Sequence, residues 1–211
     1  MRKTLLFDLD GTLIDSTDAI VEGFCVAYEK FSLTPPSKNS ITALIGYPLD
    51  VMFQRLGIKE NVWEYVKAYK EHYRLISREK TTLLPYAKEA IVEASKYARL
   101  GIVTTKTSRY SQELLEHMEV MRYFDILIGR ESVQNPKPHP EPILKAMEFF
   151  SSKEENTWMI GDTILDLESA KNARVKSVGV LCGYGLKEEL QKYTSNLAQN
   201  SLEAVKLIQN H

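Results

Sequence analysis

Five short apolar runs decide what this chain can fold into: Thr4–Phe7, Leu100–Thr104, Phe124–Ile128, Thr157–Ile160 and Lys176–Leu181. Helical patterns separate the last four. Leu114, Leu115, Met118 and Met121 share one helical face, as do Ile143, Leu144, Met147 and Phe150. Leu165, Ala170 and Ala173 suggest a further helix. Strands that alternate with helices imply a parallel sheet covered on both faces. The expected core is therefore α/β, a doubly wound, Rossmann-like parallel sheet.

The stretch between the first and second runs obeys a different rule. From about residue 16 to residue 80 no strand signal occurs. Ile20, Phe24, Ala27, Tyr28 and Phe31 fall at helical spacing. Leu49, Met52, Phe53 and Leu56 form a second stripe, and Val62, Val66, Tyr69, Tyr73 and Ile76 a third. Pro35-Pro36 breaks the chain between the first stripe and the second. The division expected is a core of residues 1–15 and 81–211 and an all-helical insert of residues 16–80. Its apolar stripes read as the core of a small helix bundle.

Length and charge narrow the function. A chain of 211 residues is long enough to bury a sizeable core. A formal net charge of −1 gives no global field for gathering nucleic acid or an anionic membrane. No run approaches the roughly 20 apolar residues of a membrane span. The N-terminal apolar run stops at Asp8, too soon for a secretory signal. Cys25 and Cys182 form no disulfide framework, and a reducing, cytoplasmic setting is expected. Cys25 reads as core, and His139 as a loop residue.

The chemistry gathers at the ends of the expected strands. The first run leads into Asp8-Leu9-Asp10-Gly11-Thr12. In an extended segment Asp8 and Asp10 project together while Leu9 turns into the fold. Two close carboxylates repel, which raises one pKa or recruits a cation. The fourth run ends in Gly161-Asp162-Thr163, with Asp166 on the first turn of the next helix. The second ends in Thr104-Thr105-Lys106-Thr107-Ser108, hydroxyls that suit phosphate and helix capping equally. Lys137 is fixed between Pro136 and Pro138. The carboxyl ends of parallel strands are where open α/β sheets bind ligands. Together these residues suit a metal-bound phosphoryl group. Asp8 can attack phosphorus. Asp10 can protonate the leaving oxygen and later deprotonate water. Thr104 and Lys137 can hold phosphoryl oxygens. Asp8, Asp162 and a carbonyl near Asp10 offer hard oxygen ligands for Mg²⁺.

At these residues the chain resembles the haloacid-dehalogenase-like hydrolase superfamily. Its four motifs appear in order: Asp8-Leu9-Asp10-Gly11-Thr12, Thr104, Lys137, and Gly161-Asp162-Thr163 with Asp166. The resemblance implies a phosphatase with Asp8 as nucleophile, Asp10 as acid and base, and the helical insert as a cap. It implies Mg²⁺ on Asp8, on Asp10 through its backbone, and on Asp162, with Asp166 orienting Lys137 or the metal's waters. Ile45-Gly46-Tyr47-Pro48-Leu49, Thr104-Thr105-Lys106 and Gly183-Tyr184-Gly185 are similar to the phosphoglycolate phosphatase branch, with pyrophosphatase members close by. Three residues depart from that pattern: Thr105 for an asparagine, Tyr86 for a glycine and Arg174 for a helix-ending glycine.

The expected substrate is a small phosphorylated metabolite, first of all 2-phosphoglycolate. The expected substrate contacts are Gly11, Thr12, Thr105, Gly46 and Arg55, with Tyr47 and Arg74 beside them. Arg55 and Arg74 read equally well as a solvated helix face. A phosphomutase would need the same motifs. A non-catalytic phospho-acceptor switch uses a similar acid, hydroxyl and lysine set but has no helical insert. The chain is expected as a monomer or homodimer.

Overall fold

The computed structural model describes residues 2–211, so Met1 of the expected core lies outside the described residues. The chain begins with β1 (Lys3–Phe7) and a short β2 (Ile14–Asp15). Four helices follow: α1 (Thr17–Lys30), α2 (Lys38–Thr42), α3 (Leu49–Arg55) and α4 (Val62–Ile76). Then β3 (Thr82–Leu83) pairs antiparallel with β2, Ile14 against Leu83, and closes the stem of the helical insert.

The rest alternates: α5 (Ala87–Ser95), β4 (Ala98–Val103), α6 (Ser108–His117), β5 (Ile126–Ile128), α7 (Glu141–Phe150) and β6 (Thr157–Gly161). It ends with α8 (Ile164–Asn172), β7 (Lys176–Val180), α9 (Lys187–Leu190), β8 (Leu197–Ala198) and α10 (Ser201–Gln209). The main sheet runs β5-β4-β1-β6-β7-β8, and every pairing is parallel. The chain winds outward from β1 through β4 to β5, then returns to β6 on the other side of β1. The order reverses there, and such a switch point opens a crevice at the strand ends.

Period-two alternation fills both faces. Leu5 and Phe7 of β1 pack with Ile91 and Ile208 on one side. Leu6 packs with Ile143 and Met147 on the other. The insert has its own apolar cluster. In it Phe24 lies 4.4 Å from Phe53 and 5.2 Å from Tyr69, ring centre to ring centre. Cys25 is only half-buried, because α1 turns its neighbours Phe24 and Tyr28 inward instead.

The five expected strands are all present. β4 starts earlier than its apolar run, at Ala98, because Lys3 pairs with Ala98 across the ladder. β5 starts later, at Ile126, after Phe124 has turned into the core. A sixth strand, β8, has only two residues and too little periodicity to be seen in the sequence. Tyr86 and Arg174 stand where the resemblance expects glycine. Both take left-handed backbone, at φ +66° and +59°. Each costs roughly 1–2 kcal/mol relative to glycine.

Candidate active site

Three neighbouring strands, β4, β1 and β6, deliver the site. Each ends in a functional residue: Thr104 follows β4, Asp8 follows β1, and Asp162 follows β6. After Asp8 the chain turns sharply, with the amides of Thr12, Leu13 and Ile14 all donating to the Leu9 carbonyl. Leu9 is fully buried, as the alternation requires. Gly11 sits at φ +82°, and any side chain there would strike the Asp162 carboxylate.

Asp8, Asp162 and Asp166 are all buried and bring carboxylate oxygens within 4.8 Å of one another. Lys137 is buried among them. Its ammonium donates to Asp8 Oδ1 at 2.7 Å, to the Val103 carbonyl at 3.1 Å and to Asp166 Oδ1. An ammonium has three hydrogens, so every donor is engaged. A phosphoryl oxygen would have to share or replace one of these bonds. Asp166 uses its other oxygen to accept from the Thr163 amide at 3.0 Å and the Thr163 hydroxyl at 2.8 Å. It thus caps α8 and holds Lys137 at once. Asp162 accepts from the Thr12 hydroxyl at 3.0 Å and the Tyr184 amide at 2.8 Å. Gly11 and Thr12, expected to meet substrate, pack against Asp162 instead.

The loop that carries Lys137 is pinned from both ends. Glu141 on the first turn of α7 accepts from the amides of Gln134 and Asn135, both at 2.9 Å. Those bonds pull its carboxyl down to about 2. Ser169 donates to the His139 carbonyl at 2.9 Å. His139 Nδ1 accepts from the Glu141 amide at 3.1 Å, so the imidazole is a loop brace.

Electrostatics follow from burial. Desolvation, helped by the Asp166 charge and opposed by Lys137, pushes the Asp8 carboxyl up to about 7. Asp162 is also raised well above the usual carboxylate range, by burial and then by the charges of Asp8 and Asp166. Burial works against the Lys137 ammonium, but Asp166 and Asp8 outweigh it and keep it protonated. Three carboxylates against one ammonium leave negative charge uncompensated in a dry site. That is an environment a divalent cation relieves, and the all-oxygen donor set suits a hard ion such as Mg²⁺.

Asp10 points elsewhere. Its carboxylate is not part of the buried trio. Both its oxygens accept from Lys106, at 2.9 and 3.1 Å, and Oδ1 also accepts from the Ser16 hydroxyl. The Lys106 and Asp10 side chains are only 9% and 13% exposed. Burial opposes the Lys106 charge, but Asp10 holds it well above the usual lysine range. The sequence reading gave Lys106 no role. The available signal was its place two residues after the strand-end Thr104, to whose hydroxyl its amide donates at 3.2 Å.

Asp10 and Lys106 form the floor of a cavity of about 330 Å³ between cap and core. Gly46, Tyr47 and Thr105 line it. Gly46 adopts φ +108° beside Thr163, which brings the cap loop down onto the core. The Thr105 hydroxyl donates to the Gly46 carbonyl at 2.8 Å, so this departure from asparagine ties core to cap. Arg55 does not line the cavity; it is exposed, with its guanidinium 3.9 Å from the Tyr47 ring centre. Arg74 is exposed on an outer groove of α4.

The haloacid dehalogenase-like hydrolase family matches residues 5–180, from β1 through β7. The chain belongs to that family. It is an enzyme, a hydrolase of the phosphatase kind, and its helical insert is the family's cap. It is 30% identical over 213 residues to a phosphoglycolate phosphatase of Aquifex aeolicus, covering 99% of this chain and 98% of the relative. It is 35% identical over 192 residues to the pyrophosphatase PpaX of Halalkalibacterium halodurans, covering 89% and 86%. Among solved structures, a haloacid dehalogenase-like family hydrolase from Streptococcus pneumoniae superposes with a TM-score of 0.90 at 27% identity, over 99% of both chains. No helix among the described residues is long and apolar enough to cross a membrane.

Proposed function

We propose that this member of the family is a cytoplasmic, Mg²⁺-dependent phosphomonoester hydrolase that works through an aspartyl-phosphate on Asp8. The observation that carries the reading is the state of Asp8. It stands at the end of the central strand, inside a carboxylate trio, with one oxygen held at 2.7 Å by Lys137. A carboxylate oriented by a fixed ammonium is a prepared nucleophile.

In the first half-reaction an Asp8 oxygen bonds to phosphorus, the ester bond breaks, and the leaving oxygen takes a proton from Asp10. In the second, Asp10 takes a proton from water, the water oxygen bonds to phosphorus, and inorganic phosphate leaves with Asp8 regenerated. Asp10 serves both steps because it lies at the boundary between the trio and the cavity. Lys106, touching both of its oxygens, fixes the direction of its carboxylate. Thr104 would offer its hydroxyl to a phosphoryl oxygen. Asp8, Asp162 and the backbone near Asp10 would hold the Mg²⁺, with Asp166 acting through Lys137. When bound, the cation offsets phosphoryl and carboxylate charge.

The two curated relatives act on phosphoglycolate and on pyrophosphate, at similar identity. The proposal is therefore a reaction class first, with those two as the first substrates to try. A hydrolysis panel of 2-phosphoglycolate, pyrophosphate, hexose phosphates and an aryl phosphate tests it, run with Mg²⁺, with chelator, and with Asp8→Asn. The expected outcome is Mg²⁺-dependent phosphate release that Asp8→Asn reduces at least ~10⁴-fold. Release that survives the substitution would remove Asp8 as nucleophile. A phosphoenzyme that turns over only with a bisphosphate would mark a mutase instead.

A further inference from the structure

The cavity above Asp10 has walls of a particular kind. Its volume, about 330 Å³, falls within the roughly 300–1,000 Å³ that holds drug-sized ligands. Glycolate or a second phosphate would leave most of it unfilled. The buried lining residues Ile20, Ile45, Met52, Val66, Tyr69 and Tyr73 carry no charge. The only charged groups at the floor, Asp10 and Lys106, are paired with each other.

The remaining charged lining residues are Asp50, Lys70, Arg130 and Glu131. All are partly or fully exposed. Glu131 is turned away to cap α6, accepting from the Ser108 amide at 3.0 Å. Lys70 and Arg130 have no ion-pair partner among the described residues and stand toward the outside of the cavity, while its buried inner wall is apolar.

The mouth is aromatic. Trp63 comes from α4 of the cap and is 66% exposed. Tyr110 comes from α6 of the core, its ring centre 6.1 Å from that of Tyr73 inside. The two residues come from opposite domains and line the same cavity. Rings of this kind supply large contact area at fixed geometry.

We infer that the physiological substrate is a phosphomonoester whose leaving alcohol carries a ring or a comparably bulky apolar body, which Trp63 and Tyr110 receive at the cavity mouth. This rests on the phosphatase reading and names its substrate class.

The test compares benzyl phosphate, methyl phosphate, 2-phosphoglycolate and pyrophosphate on the wild-type protein with Mg²⁺. Benzyl phosphate is expected to show kcat/KM at least about tenfold above each of the others, a difference that a buried ring readily supplies. Trp63→Ala is expected to raise the KM for benzyl phosphate about fivefold more than the KM for methyl phosphate, with little change in kcat.

Preference for 2-phosphoglycolate or pyrophosphate would overturn the inference and leave the phosphatase reading intact. So would a Trp63→Ala protein whose KM for benzyl phosphate does not move relative to methyl phosphate. If no ester is hydrolysed, the reading fails and binding decides the inference alone. Benzyl phosphate is then titrated into Asp8→Asn by tryptophan fluorescence. Of the two tryptophans, Trp158 is buried in the core at 2% exposure, so the signal reports Trp63. Saturable quenching stronger than with methyl phosphate upholds the substrate class, and its absence overturns it.

Discussion

At the floor of the site charged groups crowd together, while the buried walls of the cavity above it have no charge at all. Lys137 binds Asp8 and Asp166, and Lys106 binds Asp10. A few residues away, Ile45, Met52 and Val66 face the same space. The floor is contributed by strand ends of the core and the walls largely by cap helices. A rigid sheet holds charges at fixed distances, which transition-state stabilisation requires. A separate helical bundle, joined through a two-stranded stem, is free to differ in shape without disturbing them. Reaction and selection therefore sit on different elements of one chain.

The most severe way to break this arrangement is to remove the floor's cation. Lys137→Met deletes the partner of two buried carboxylates while nearly conserving volume. Breaking a buried pair from one side costs about 3–5 kcal/mol. For a domain of this size that lowers Tm by roughly 10 °C. Turnover should be lost as well, because Asp8 loses its orientation. Mutating a cap-wall residue such as Val66→Ala should instead leave kcat nearly intact and act on KM. A Lys137→Met protein with wild-type Tm would show that Lys137 does not hold the buried carboxylates in place.

A second, smaller effect separates floor from walls by pH. The folded Asp8 carboxyl lies near 7, above its ordinary value, because it is buried. Between about pH 4 and 7 the folded protein therefore holds a proton that the unfolded chain has released. In chelator that stability is fully present at the acid end and is lost as pH rises toward 7. Mg²⁺ binds the ionised form and should cancel the loss, so the Tm gained on adding Mg²⁺ grows with pH across this window. Glu141, held near 2, acts in the opposite sense but only at lower pH. A Mg²⁺-dependent gain that shrinks as pH rises would contradict the buried, uncompensated trio.

The same division governs what could be read from the sequence. Asp8, Thr104 and Asp162 are legible because strand grammar is local, and Lys137 because prolines flank it. An apolar run ends, a polar residue follows, and parallel strands put those ends on one edge. The partner of Asp10 was not visible, since Lys106 lies far along the chain and only the folded core brings it near. The cavity was hidden for another reason. Tyr69 and Tyr73 fall on a helical apolar stripe that reads as bundle core, and they are indeed buried. A wall of a cavity and a wall of a core have the same periodicity. Trp63 lies off that stripe and Tyr110 in another domain, so no single helix announces the mouth. Arg55 is a candidate by its charge alone, and the fold places its guanidinium over the Tyr47 ring instead.

The smallest expected effect concerns the seam between the two regions. Thr105 donates its hydroxyl to the Gly46 carbonyl at 2.8 Å, from the end of a core strand to the loop that lowers the cap. Thr105→Val keeps the shape and removes the donor. A neutral hydrogen bond of this kind contributes about 0.5–1.5 kcal/mol. It is present only when cap and core are closed, so its loss should bias the cap toward opening without altering the floor. The expected result is a rise in KM of about threefold to tenfold, with Tm lowered by only a few degrees. Thr105→Ser keeps the donor and should restore most of the KM. If Thr105→Val lowered kcat with KM unchanged, the hydroxyl would belong to the phosphoryl site and not to the seam, and the separation of reaction from selection would fail at this residue.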